Sequence, residues 1–185
     1  MQEPAEIAVD DFVVGPQEVG ELTWVTVTLI LPTVFEEEGY LTMTLPGTVQ
    51  ISPNEFYCIY HIGFKSTVQS GGCTLTGSKI IRIDKNISAK QITFQVIKLM
   101  NPSHTKETDD FLFHIYDPMN NMIAQTPDQK SERYQPVRYT PLPGPLTSVD
   151  ITRPDPTVGF EAVGEGNAFE FTIVTKNLLQ SGEII

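Results

Sequence analysis

From Thr23 to Leu31 the side chains alternate: Val25, Val27, Leu29 and Leu31 point one way, and Trp24, Thr26, Thr28 and Ile30 the other. A period of two marks a β-strand with one buried face. Pro32 removes a ladder donor. The acidic run Glu36, Glu37 and Glu38, with Gly39, makes a solvated loop before a second run at Tyr40 to Leu45. Further strands are expected at Glu55 to Ile62, Lys79 to Ile83, Gln91 to Leu99, Phe111 to Tyr116 and Asn121 to Gln125. In the run around Phe113, that residue and Ile115 face one side while His114 and Tyr116 face the other. Short alternating runs, punctuated by turn residues about every eight to twelve positions, predict an all-β chain built as an immunoglobulin-like β-sandwich.

The pattern breaks where Pro127, Pro136, Pro141, Pro143 and Pro145 interrupt any ladder. Proline at this density favours polyproline II, so a semi-rigid linker is expected there. Beyond it lie two short runs, Leu146 to Ile151 and Ala168 to Val174. The expected organisation is a sandwich unit over 1–140, a Pro-rich linker over 141–149, and over 150–185 the opening strands of a second similar unit or a strand-donating segment.

That last expectation rests on an internal repeat. Asp155 to Glu165 laid on Asp11 to Glu21 gives six identities in eleven positions at an offset of 144 residues. The pattern continues: Phe169, Phe171 and Ile173 fall on the inward positions of Val25, Val27 and Leu29. The alternative is a coincidence between two acidic, Gly-punctuated strand sequences. If the repeat is real, its strands expose an apolar face and open edges that this chain does not cover, and such strands are unstable alone. Either the polypeptide continues past Ile185, or a neighbouring molecule supplies the cover by β-strand addition. Repeated head to tail, that contact does not close and builds a filament. The strand from Ile7 to Val14 is an equally suitable donor.

Composition narrows the partners. The formal net charge is −11, from 23 acidic and 12 basic residues, with no basic cluster to neutralise a phosphate backbone, so nucleic acid and anionic membranes are poor candidates. No stretch has the length of a membrane span. An acidic surface suits solubility, or recruitment of divalent cations. Cys58 and Cys73, with fourteen residues between them, read as one disulfide, which places the chain in an oxidising, extracellular or cell-surface setting. The alternative is a pair of reduced buried thiols. Met1 to Asp11 lacks the character of a signal peptide, so a secretion signal would have been removed or lie outside this sequence.

With Thr23 to Leu31, Cys58 with Cys73, and the run Phe94 to Asp117 (FQVIKLMNPSHTKETDDFLFHIYD) in view, the chain resembles the tandem β-sandwich repeats of large surface and extracellular proteins of protists, especially ciliate-type ones. In those repeats an Asn-Pro-Ser/Thr turn lies between two apolar strands, as Asn101, Pro102 and Ser103 do here. The resemblance covers about residues 10 to 125, is one of pattern, and implies a structural or coat role. Strand donation also resembles the logic of bacterial pili, at the level of mechanism only.

Catalytic chemistry finds little support. His61, His104 and His114 are the available imidazoles and no motif frames them, so strand or surface histidines are the favoured reading. His61 with Cys58 and Cys73 is too loose a set for zinc, and no cofactor is expected. Calcium is the one metal candidate, through Asp109 with Asp110 or Asp150 with Asp155, although neither pair forms an EF-hand loop. Asn86, Ile87 and Ser88 form an N-x-S acceptor for covalent glycan. The chain is therefore expected to be a non-enzymatic subunit of an extracellular filament or coat, with copies of itself as partners and Val25, Val27, Leu29, Phe169, Phe171 and Ile173 as the cohesive residues. A second reading is a surface adhesin or sugar-binding module with Trp24, Tyr57, Tyr60 and Tyr116 as stacking residues.

Overall fold

The computed structural model describes residues 3–32, 39–62, 69–70, 72–84, 90–152 and 170–175. Alternation along Leu22–Ile30 becomes a strand, β3, whose Val25, Val27 and Leu29 are wholly buried. It is an interior strand of a sheet whose order is β2 (Ala8–Val14), β3, β10 (Gln91–Met100), β6 (Tyr57–Ile62) and β7 (Gln69–Ser70); β5 (Gln50–Ile51) pairs with the end of β10. A second sheet runs β1 (Ala5–Glu6), β12 (Met122–Gln125), β11 (Leu112–Tyr116), β4 (Tyr40–Thr44), β9 (Ile80–Ile83) and β8 (Cys73–Thr76).

The inner faces meet through Val25, Val27, Leu29, Phe94 and Val96 from the first sheet and Leu41, Met43, Ile81, Phe113 and Ile115 from the second. Phe94 and Phe113 touch edge to face across the gap, their ring centroids 6.0 Å apart, a geometry that suits the ring quadrupoles. Strand β1 pairs parallel with β12, whereas β2, just after it, pairs antiparallel with β3. The chain thus changes sheets at Ile7, whose side chain is fully buried. An opening strand split between both sheets, one half parallel to the last strand of the sandwich, is an immunoglobulin-like arrangement. The expected all-β sandwich is the observed one.

Cys58 on β6 and Cys73 on β8 are joined, Cα to Cα 6.0 Å, by a disulfide that ties one sheet to the other. Lys98 adopts φ 65° where the β10 register slips between Ile97 and Leu99. It occupies a β-bulge that local alternation cannot reveal.

Two expectations need correction. Val25, Val27 and Leu29 were candidates for cohesion between molecules, but they lie at zero exposure in this chain's own core, because the second sheet covers that face. The segment expected to be a linker is also partly structural. Val137 and Tyr139 are buried in the core and Pro141 is buried beside them. Phe111 N–H donates to the Val137 carbonyl at 2.8 Å, Thr108 N–H to that of Tyr139 at 2.9 Å, Leu142 N–H to that of Gln17 at 2.8 Å and Val19 N–H to that of Leu142 at 3.0 Å. Residues 137–142 form a strap across one end of the sandwich, and strand structure resumes at Leu146. Prolines break ladders, but they do not prevent the residues between them from packing.

Candidate functional site

Beyond the strap, β13 (Leu146–Thr152) and β14 (Glu170–Thr175) pair antiparallel as a two-stranded ribbon. Register places Val149 opposite Ile173 and Ile151 opposite Phe171, so these four share one face; Ser148, Asp150, Thr152 and Thr172 belong to the other. The four apolar residues are 51, 39, 56 and 62 % exposed in that pairing order, where the core strands stand near zero. Hairpins of this size are marginal in water without a third layer. Of the expected cohesive residues, Phe171 and Ile173 are therefore on an open face, while Phe169 lies outside the described residues. Val149 and Ile151, their cross-strand partners, went unnamed in the sequence, although the alternation Val-Asp-Ile-Thr carries the signal.

At the repeat offset, β14 falls on β3, and Phe171 and Ile173 share a face as Val27 and Leu29 do. The pairing differs in detail: β13 ends at Thr152, where the offset of β2 would begin. The aligned stretch 155–165 lies outside the described residues, as does the acceptor Asn86.

A second feature lies on the outer face of the β11 and β12 pair, where the chain from Thr126 to Arg138 arches beside it. This arch encloses an open cleft of about 550 Å³, a size typical of ligand sites. Its back wall is a linked polar group. Arg138 Nη1 donates to Glu107 at 3.1 Å and Nη2 to the Tyr134 hydroxyl at 2.9 Å; Tyr134 in turn donates to Asp110. Arg138 Nε stands 3.0 Å from Asp110 Oδ1 but its N–H is turned aside, so that contact is an ion pair without a hydrogen bond. Hydrogen bonding to Asp110 and burial raise the Tyr134 pKa, and the Tyr134 hydrogen bond helps raise that of Arg138. His114 lines the same cleft, and burial lowers its pKa, which favours the neutral ring.

The other nominated residues disperse. Trp24 and Tyr57 share a cross-strand row with Ile97 between them on the outer face of the first sheet. Tyr116 is on the second sheet, and Tyr60 pairs with Phe94 in register. Trp24 and Tyr57 on one sheet and Tyr116 on the other do not form one stacking platform. Tyr116 stacks on Tyr40 at 5.0 Å, and Arg82 covers the Tyr40 ring from the neighbouring strand at 3.6 Å, so both faces of Tyr40 are occupied. His61 is on β6, His104 in the loop after β10 and His114 on β11, three separate elements. For calcium, Asp110 is committed to Tyr134 and Arg138, and among the described residues no three His, Cys, Asp or Glu side chains gather as a metal site. Asp150 is on the ribbon, and Asp155 lies outside the described residues. No described helix is long and apolar enough to cross a membrane.

No family model matches the chain, and no curated protein does. Among solved structures it is similar to BslA, a bacterial hydrophobin, at 10% identity and TM-score 0.40 over 65% of this chain and 92% of that one. It is also similar to a DUF4466 family protein from Parabacteroides merdae, at 12% and 0.42 over 82% and 48%. The collagen-binding domain of the Erysipelothrix rhusiopathiae surface protein RspB matches at 12% and 0.41 over 65% and 41%. At these scores the likeness is one of general β architecture and carries no functional argument.

Proposed function

We propose that this chain is a structural subunit of an extracellular filament or surface coat, in which the ribbon of each subunit joins the next one by β-strand addition. The supporting observation is the open apolar face of Val149, Ile151, Phe171 and Ile173 on a ribbon too small to be stable alone. Covering those side chains acts in one direction, from tail to neighbouring sandwich, and a contact of that kind propagates. On the receiving side, the edge strand β2 is blunted by Asp10, Asp11 and a bulge between Val9 and Asp11. Strand β8, with the sequence Cys-Thr-Leu-Thr, has neither charge nor proline and is the better acceptor. The disulfide supports an oxidising compartment.

Sedimentation of the full chain across a concentration series tests this reading. Association that grows with concentration, and disappears in an Ile151→Asp, Phe171→Asp double variant with unchanged sandwich stability, is the expected result. A chain that stays monomeric throughout sinks the proposal. The second reading, a surface-displayed binding module, is favoured by the cleft beside β11 rather than by the aromatic residues first nominated for it.

A further inference from the structure

The cleft has a polarity that selects its ligand. Arg138, the cation of its wall, is held by Glu107, Asp110 and the Tyr134 hydroxyl, so its charge is answered from within and is not free to receive an anion. Asp109 and Asp128 remain at the rim, both exposed. Together with Asp110 they set three lining carboxylates against one lining guanidinium. Between them lies a short apolar shelf: Leu112 is 41 % exposed on β11, and Pro127 stands at the start of the arch. Gln125 and Gln129 contribute amides. A negative rim around an apolar shelf is complementary to a side chain with an aliphatic stem and a cationic head. The volume, about 550 Å³, exceeds one such side chain and suits a short stretch of backbone with it.

We infer that the cleft between the β11–β12 face and the arch 126–138 is a docking site for a partner polypeptide segment bearing lysine or arginine, with the stem lying on Leu112 and Pro127 and the charge received by Asp109 and Asp128. This goes beyond the assembly reading and does not depend on it, because none of the described ribbon residues lines the cleft. The same electrostatics disfavour sulfated or carboxylated glycans, whose charge would meet the rim with the wrong sign.

The test is fluorescence anisotropy of a labelled Gly-Lys-Gly-Lys-Gly-Lys peptide against the full-length chain at about 0.15 M salt, where long-range attraction is screened. The chain has a large net negative charge, so the controls must separate the cleft from the whole surface. Saturable binding is expected. It should weaken about tenfold in an Asp109→Asn, Asp128→Asn variant and severalfold in Leu112→Ser. An Asp10→Asn, Asp11→Asn variant removes the same charge from β2 and should bind within about twofold of the parent, as should the Ile151→Asp, Phe171→Asp ribbon variant. Equal loss in the cleft and β2 variants would mean diffuse attraction and overturn the inference. So would an absence of saturable binding, equal binding of the glutamate counterpart peptide, or displacement by a hyaluronan oligosaccharide as effective as by the unlabelled peptide. Self-association of the chain that vanished in the cleft variant would assign the site to a second copy and overturn it equally. Loss of binding in the ribbon variant alone would move the peptide to the assembly surface.

Discussion

Asn101 is buried with both ends of its amide in use: Nδ2 donates to the carbonyls of Pro16 and Glu18 at 2.7 and 2.8 Å, and Oδ1 accepts the Tyr139 hydroxyl at 2.8 Å. One side chain thereby joins the turn after β2, the end of β10 and the strap. Tyr139→Phe leaves Oδ1 buried without that donor and should cost about 1–3 kcal/mol in a denaturant titration. Burial pushes the Tyr139 pKa up to about 12. The neutral phenol is thus favoured by folding, and its contribution is complete below the ordinary tyrosine value near 10 and is lost as the pH rises towards 12. Alkaline unfolding monitored in that window should move to higher pH in Tyr139→Phe, relative to each protein's own neutral stability. Lys98 offers a test of opposite sign: at φ 65° a side chain costs about 1 kcal/mol that glycine avoids, so Lys98→Gly should be neutral or stabilising by up to that amount. Asn101 was legible as a turn residue from its Pro102 neighbour. Its partners were not, because they come from positions more than thirty residues away in sequence.

At the scale of elements, what local alternation encodes was readable. Val25, Val27 and Leu29 share the buried side of β3, and Phe113 and Ile115 that of β11. Cys58 and Cys73 paired as expected, and reducing the bond should cost about 3 kcal/mol by the loop it closes, measurable as a lower denaturation midpoint with dithiothreitol. The Pro-rich stretch reads as linker from Pro127 on because composition reports backbone preference, whereas Val137 and Tyr139, within the expected 1–140 unit, are placed by a core assembled from distant strands. Truncation resolves the two contributions. A chain ending at Gly144 should keep the sandwich's stability within about 0.5 kcal/mol, since every described residue that it loses lies outside that core. A chain ending at Pro136 should lose several kcal/mol, through the missing buried Val137 and Tyr139. The cleft lay beyond reach for the same reason as the strap: Asp110, His114 and Arg138 meet only once the arch is in place.

For the whole molecule, the net charge of −11 and the apolar ribbon act in opposition. In the proposed assembly, copies brought together would repel one another while their ribbons gained by burial, and salt screens the first effect much more than the second. Light scattering should accordingly show assembly strengthening between about 0.05 and 0.5 M sodium chloride, whereas peptide docking in the cleft should weaken over the same range. Assembly that weakened with salt would point to charge pairing as the source of cohesion. Leu142 bears on how such a fibre would behave under load. It is bonded through both its N–H and its carbonyl to the turn between β2 and β3, just before the ribbon departs. A tug on the ribbon would reach that pair of bonds before either sheet, and their release would pay out a little slack while Tyr139 stayed anchored. Each subunit would then yield at its root and re-seat when the tension passed, with its sandwich still folded.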